Sequence, residues 1–258
     1  GSDRTFSMDT FPQEYPCYGN GDFRSPAFNV KNEQGVYGVD LRYKSHSMTE
    51  GKYSIPGLPA VYAEKADGAY TVNVILEDTL LGLEVTLRYG VLPELDVITR
   101  SVIVKNNGEN PIHLTKVYSA GMDFLTGDFE LLHFHGRHAM ERMEERIPVI
   151  YGNQSFGSRR GTSSHQQNPF FILAEKETTE DFGACYGMSM LYSGNFKCEV
   201  EKDQFSQTRI QIGLLDEMFE YPLEPEKAFY TPEVAMAYSE NGLTALSHIY
   251  HKLICYHI

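Results

Sequence analysis

The stretch Tyr70-Thr-Val-Asn-Val-Ile-Leu-Glu77, with its continuation Leu83-Glu-Val-Thr-Leu-Arg-Tyr89, decides the fold. Tyr70, Val72, Val74 and Leu76 recur at every second position, as do Leu83, Val85, Leu87 and Tyr89. A period of two places each set on one face of a β-strand. The six residues Glu77-Asp-Thr-Leu-Leu-Gly82 between them form a connection of hairpin length. Working outward, alternating or apolar strand patterns run over 39–44, 97–105, 112–122 and 129–134, and then over 170–174, 184–190, 196–201, 209–212, 228–230 and 234–238. Asn106-Asn-Gly-Glu-Asn-Pro111 is a turn between two of them, 48–59 reads as a Gly/Pro loop, and Gly194-Asn195 suits a tight turn with positive φ.

Short strands with one apolar and one polar face, and no alternating βα units, predict an all-β fold, a large antiparallel β-sandwich. The end of the chain differs. Leu243, Leu246, Ile249, Tyr250, Leu253 and Ile254 recur at helical spacing, which predicts a C-terminal α-helix, with Ser239 or Asn241 as candidate cap. At the other end Pro12, Pro16 and Pro26 break any regular element, so the first 27 residues are expected to lie over a sheet as a strap.

Composition narrows the function classes. Among 258 residues, 35 are acidic and 22 are Lys or Arg, a net charge of −13. That excess argues against nucleic acid and anionic membranes, which reward clustered cations. No apolar run approaches the roughly 20 residues needed to span a bilayer, and the polar start shows no signal peptide. Cys17, Cys185, Cys198 and Cys255 are scattered without C-x-x-C spacing. They read as free thiols of a reducing cytoplasm rather than as a zinc site or disulfide framework. Tryptophan is absent.

Two stretches carry candidate chemistry. Ser158–Phe170, S-R-R-G-T-S-S-H-Q-Q-N-P-F, concentrates donors and acceptors without amphipathic period, and Asn168-Pro169 predicts a turn before the apolar run at 170–174. It reads as a loop that cross-braces strands through Arg159, Arg160, His165 and Asn168, or else as the mouth of a polyol site. The second stretch is Gly136-Arg-His-Ala-Met-Glu-Arg142. His133 and His135 share a strand face with no convincing third ligand, so no metal is expected. Ser163, Ser164 and His165 lack the G-x-S-x-G elbow of a nucleophile. Glu141, Glu144 and Glu145 read as a solvated face.

Ser158–Phe170 resembles the signature R-R-G-x-S-S-H-x-x-N-P-F of the N-terminal domain of family 36 glycoside hydrolases, the microbial α-galactosidases. Further blocks resemble the same domain in order. They are the segment from Ser2 to Thr10, Gln13-Glu-Tyr-Pro16, Gly21-Asp-Phe-Arg-Ser-Pro-Ala27, Asp40-Leu-Arg-Tyr43, Gly57-Leu-Pro-Ala60, Val97-Ile-Thr-Arg-Ser101, Leu191-Tyr-Ser-Gly-Asn-Phe196 and Thr231-Pro-Glu233 with Tyr238-Ser239.

The resemblance implies a β-supersandwich over 1–240 and a helix at 241–258 leading to a catalytic (β/α)8 barrel. A barrel takes about 250 residues, and none of this chain reads as one. A retaining glycosidase needs two carboxyl groups about 5 Å apart, and in the family both aspartates come from that barrel. The chain is thus expected to be a fragment cut at both ends. It would be the non-catalytic part of a cytoplasmic bacterial enzyme, without cofactor, that releases terminal α-galactosyl units from melibiose or raffinose-type sugars. Its expected roles are to shape the pocket and to build a homo-oligomer interface.

The second stretch resembles the family segment G-x-W-x-R-E-R, whose tryptophan reaches the substrate. Here His138 stands at the tryptophan position and Met140 at that of the first arginine, while Glu141 and Arg142 match. His138, with Arg137 beside it, is the candidate substrate contact. The alternative reading is a stand-alone carbohydrate-binding or structural β-sandwich, against which the missing tryptophan counts.

Overall fold

The structure, a computed structural model, describes residues 7–64 and 67–258. The first five residues of the block from Ser2 to Thr10 lie outside them. Among the described residues, sixteen strands and one α-helix follow in order. They are β1 (Phe28–Lys31), β2 (Arg42–Glu50), β3 (Tyr70–Asp78), β4 (Leu83–Leu92), β5 (Val97–Asn106), β6 (Ile112–Phe124), β7 (Phe129–Arg137), β8 (Met140–Pro148) and β9 (Gly152–Ser158). Then come β10 (Gln167–Glu175), β11 (Cys185–Leu191), β12 (Phe196–Lys202), β13 (Thr208–Leu214), β14 (Tyr221–Leu223), β15 (Ala228–Tyr230), β16 (Glu233–Ser239) and the helix α1 (Gly242–His257).

The strands form two antiparallel sheets, the all-β sandwich expected from the alternation. The larger has ten strands in the order β2-β3-β4-β5-β16-β11-β10-β7-β8, with β15 beside β5. The smaller has five, β1-β6-β13-β12, with β14 beside β6. The predicted hairpin is β3–β4, in register from Tyr70↔Val91 to Asp78↔Leu83. Its apolar set points inward: Leu83, Val85 and Leu87 are fully buried with Val102 and Val104 of β5, against Phe28, Leu114 and Val117 of the small sheet. A second inner cluster joins Leu131, Phe171, Leu173 and Met188 to Phe196, Val200 and Ile210 across the same gap.

The central strands of the large sheet are apolar on both faces, as strands covered on both sides must be. The outward residues Leu132, Ile172, Ala174, Ala235 and Ala237 pack under Leu246, Tyr250 and Leu253 of α1 and under Val61. At about 25 cal/mol per Å² of apolar surface, each buried leucine or isoleucine there contributes some 1.5–3 kcal/mol, and each alanine methyl less. The third layer is thus α1 and the loop 51–63.

Several local expectations are corrected. The strand expected over 39–44 starts later, at Arg42, and runs through Met48 to Glu50, into the segment read as a Gly/Pro loop. β2 is exposed along its whole length, so no buried face marks it in the sequence. Asn168-Pro169 does not turn: it lies inside β10 at a register shift between Gln167 and Phe171, where proline's missing N–H is tolerated. Neither Gly194 nor Asn195 takes a positive φ. A Cβ on Gly194 would instead stand 2.5 Å from the Tyr192 ring. Asn241 holds the N-cap position of α1 but makes no side-chain cap bond, and Ser239 accepts only from the Asn241 amide at 3.1 Å. Backbone carbonyls cap the helix, with Gly242, Leu243 and Thr244 donating to Gly183, Thr179 and Glu180.

Candidate functional site

β7 and β8 form a hairpin at one edge of the large sheet, paired from Glu130↔Pro148 to Arg137↔Met140. The two-residue turn is His138-Ala139, with Ala139 at φ 62°, and a bulge near His135–Arg137 goes with Arg142 at φ 57°. The Ala139 amide donates to Glu141 Oε1 at 2.8 Å, which fixes the turn. Gly136 is needed because a Cβ there would collide with the Met140 carbonyl across the hairpin. Arg137 and His138 are both exposed at the tip. The Arg137 guanidinium lies 3.1 Å from Met140 Sδ, and His138 makes no hydrogen bond among the described residues. β8 is exposed from Met140 to Glu145, with the carboxylates Glu141, Glu144 and Glu145 and the apolar Met140 and Met143 all facing solvent.

The signature loop lies against the base of this hairpin. Gly136 N–H donates to the Gln166 carbonyl at 3.3 Å, and Asn168 Nδ2 donates to the Phe134 carbonyl at 3.3 Å. Arg160 Nε donates to Gln166 Oε1 at 2.7 Å, while Arg159 forms a two-point ion pair with Glu217. His165 is exposed at the turn and makes no hydrogen bond among the described residues. Three further bonds set the loop's course: Ser158 Oγ to the Thr162 carbonyl at 2.6 Å, the Gly161 amide to Asn195 Oδ1 at 2.6 Å, and the Ser163 amide to the Ser193 carbonyl at 2.8 Å. The structure therefore brings Arg137, His138, Arg160 and Asn168 to one corner, with Arg159 tied to the neighbouring 215–219 turn.

Gln166 and Phe156 are members of this corner that sequence reasoning missed. Gln166 lay inside the quoted loop, but its carbonyl contact is a backbone event that no side-chain pattern reveals. Phe156, on β9, stacks on His133 with ring centroids 4.8 Å apart. Burial there, followed by the neighbouring His135, holds the His133 imidazole below its usual range. Among the described residues no three His, Cys, Asp or Glu side chains converge as a metal site requires.

Apart from Leu191-Tyr-Ser-Gly-Asn-Phe196, which holds the signature loop, several of the other quoted blocks find partners elsewhere in the fold. Glu14 accepts from the fully buried Arg100 at 2.7 Å, joining Gln13-Glu-Tyr-Pro16 to Val97-Ile-Thr-Arg-Ser101. Glu233 takes Lys52 Nζ at 2.5 Å and the Val61 amide at 2.6 Å, joining Thr231-Pro-Glu233 to the loop that carries Gly57-Leu-Pro-Ala60. Asp22 and Arg24 of the strap bond each other at 2.9 Å, and Arg209 bridges Asp22 and Asp123 at 2.7 Å each. Burial raises the Asp22 carboxyl, but hydrogen bonds from Arg24 and Arg209 more than offset it and hold the group below its usual range. Glu199 behaves alike: burial raises it, and Lys116 and Lys197 bring it lower than normal. Glu217 and Glu220 are likewise held below the usual carboxylate range, by hydrogen bonds from Arg159 and Lys31.

Fold and corner together define a large antiparallel β-sandwich domain that presents one exposed polar hairpin braced by one polar loop. The glycosyl hydrolase family 36 N-terminal domain profile matches residues 1–224, and the chain belongs to that family. It is 54% identical over 258 residues to the bifunctional alpha-galactosidase/sucrose kinase AgaSK of Mediterraneibacter gnavus, covering all of this chain and 28% of that protein. It is 47% identical to alpha-galactosidase AgaA of Geobacillus stearothermophilus, covering 98% of this chain and 35% of that one. The solved galactosidase domain of AgaSK superposes with a TM-score of 0.97 over all of this chain and 36% of its own. A solved variant of the Geobacillus AgaA, in complex with raffinose, gives 0.97 at 46% identity over 99% of this chain and 36% of its own. The chain thus spans about a third of the length of these relatives.

Proposed function

We propose that this chain is the non-catalytic N-terminal domain of a retaining, cytoplasmic α-galactosidase acting on melibiose and raffinose-type sugars, and that it shapes the substrate pocket and the interface of a homo-oligomer. The single observation that carries the reading is the β7–β8 hairpin. It is polar and exposed at its tip, and the signature loop braces its base. A hairpin held rigidly at the base and free at the tip suits presentation of His138 and Arg137 to a sugar outside the domain. His138 offers a flat ring and a ring nitrogen for a hydroxyl, and Arg137 offers donors. Arg159, Arg160 and Asn168 are positioning residues that fix the hairpin's direction, with His165 at the exposed turn.

Four of the buried carboxylates support the non-catalytic half of the reading. Asp22, Asp123, Glu199 and Glu233 are each held by arginine or lysine within the fold. The pair of carboxyl groups about 5 Å apart on a scissile bond would come from the remaining two thirds of an enzyme of the relatives' length.

Two measurements test this. Hydrolysis of p-nitrophenyl α-galactoside should occur with a protein of the relatives' full length and not with the 258-residue chain. Activity in the chain alone would overturn the reading. In the longer protein, His138→Ala should raise KM for raffinose several-fold with a smaller change in kcat, because the contact orients substrate and does not react. An unchanged KM would leave the hairpin a purely structural element.

A further inference from the structure

The sequence holds three Asn-Gly pairs, Asn20-Gly21, Asn107-Gly108 and Asn241-Gly242. Glycine has no side chain to shield its amide, so in such a pair the glycine nitrogen can reach the carbonyl carbon of the asparagine side chain. The attack needs an amide that is not already donating and a backbone that opens locally at little cost. The fold treats the three pairs differently.

Two of them are closed. The Gly108 amide donates to Asn106 Oδ1 at 2.9 Å, and the Asn107 amide donates to the Gly82 carbonyl at 2.8 Å. A Cβ on Gly108 would stand 2.7 Å from the Leu81 carbonyl oxygen, so the backbone is tightly packed there. The Gly242 amide donates to the Gly183 carbonyl at 3.0 Å, and Gly242 is buried at the start of α1.

The third pair is open. Among the described residues, no backbone amide from Gly19 to Phe23 donates a hydrogen bond and no carbonyl of that stretch accepts one. Gly19 and Gly21 hold φ of 103° and 88°, and Asn20 and Gly21 are half-buried. The Asn20 side chain makes no hydrogen bond among the described residues, its Oδ1 being buried without a donor. The stretch is fastened only outside the pair. On one side the Tyr18 amide donates to the Phe28 carbonyl at 3.4 Å and the Tyr18 carbonyl accepts from the Val39 amide at 3.3 Å. On the other, Asp22 accepts from Arg24 at 2.9 Å and from Arg209 at 2.7 Å. Turning Gly21 toward Asn20 therefore breaks no backbone hydrogen bond.

We infer that Asn20-Gly21 is a self-modification site at which the chain deamidates. The Gly21 nitrogen, giving its proton to water, bonds to Asn20 Cγ. The Cγ–Nδ2 bond breaks and that nitrogen leaves as ammonia. The cyclic imide then adds a water at either carbonyl and opens to aspartate or isoaspartate, with no oxidant or reductant. The product carries an added carboxylate two residues before Asp22, and isoaspartate also lengthens the main chain. Asp22 ties the strap to Arg209 of β13, so conversion loosens the strap from the small sheet. The site does not depend on the role assigned to the hairpin.

Peptide mapping by mass spectrometry tests it on the folded 258-residue chain kept in warm, mildly alkaline buffer. Asn20 should convert about tenfold faster than Asn107 and Asn241, the factor by which one retained amide hydrogen bond protects. In urea the three should convert at similar rates. Ammonia release and uptake of heavy oxygen from labelled water should match the loss of Asn20. The urea midpoint of the aged chain should fall, and that of Asn20→Gln, aged alike, should hold. Conversion at Asn20 no faster than at the other two pairs, or a preference for Asn20 that persists in urea, would overturn the assignment. An unchanged midpoint after conversion, or an equal fall in Asn20→Gln, would overturn the loosening of the strap.

Discussion

Glu233 divides its two oxygens between Lys52 Nζ at 2.5 Å and the Val61 amide at 2.6 Å, with both charged side chains at most 1% exposed. The Lys52 ammonium also sits 3.4 Å from the Tyr53 ring centroid, and burial holds its pKa below the usual lysine value in spite of Glu233. Removing one partner strands the other charge in a dry place. Glu233→Ala should therefore cost about 3–5 kcal/mol in urea unfolding, while the double change Lys52→Met with Glu233→Gln should cost clearly less than the sum of the singles. The depressed carboxyls set the acid limb. In the folded state Asp22 and Glu199 release protons more readily than in the unfolded chain, where the values are near 3.8 and 4.5. The unfolded state then binds more protons as pH falls, so their stabilisation is complete above about pH 5 and is lost progressively below pH 4.5. Unfolding midpoints taken between pH 6 and pH 3 should fall along that limb, and Glu199→Gln should flatten it. These pairings were half legible. The blocks holding Glu14, Arg100, Asp22 and Glu233 stood out by resemblance, but which acid meets which base is a property of strand order, and no spacing in the chain encodes it.

Among the elements, the core strands were readable because one face of each is apolar, and Leu83, Val85 and Leu87 carry that period through β4. β8 and β9 escaped for the opposite reason. Met-Glu-Arg-Met-Glu-Glu-Arg along β8 is exposed, and its two methionines, three residues apart, fall on opposite faces, so the hairpin leaves no hydrophobic period of two to find. β2 was misplaced on the same ground. The turn at His138-Ala139 asks a Cβ-bearing residue to hold φ 62°. Ala139→Gly relieves that conformation and should stabilise the hairpin by up to about 1 kcal/mol, seen as slower amide exchange at Arg137 and Met140. Gly136→Val works the other way: its side chain meets the Met140 carbonyl, and exchange along β8 should accelerate while the β3–β4 amides remain protected.

On the scale of the whole molecule, two sheets share one interior, and α1 with the loop 51–63 closes the outer face of the larger sheet. Leu246 is fully buried on that face, so Leu246→Ala should cost about 2–4 kcal/mol in chemical unfolding. The helix was legible from its period and the sandwich from its alternation. The loop that covers the sheet beside the helix was not, because it has no period and its place follows from Glu233.

The end of α1 is tied to that loop twice: Tyr62 N–H donates to the His257 carbonyl at 3.0 Å, and His257 Nδ1 lies 2.9 Å from the Tyr62 carbonyl. Tension applied at the C-terminus thus cannot peel the helix turn by turn. It passes through Tyr62 to Val61 and the Lys52–Glu233 bolt, and arrives as shear along β16 in the middle of the widest sheet. A strand hydrogen-bonded on both sides resists shear collectively, so the domain should yield in a force ramp as one abrupt event, and Glu233→Gln should split that event into an early release of the helix and a later rupture of the sheet.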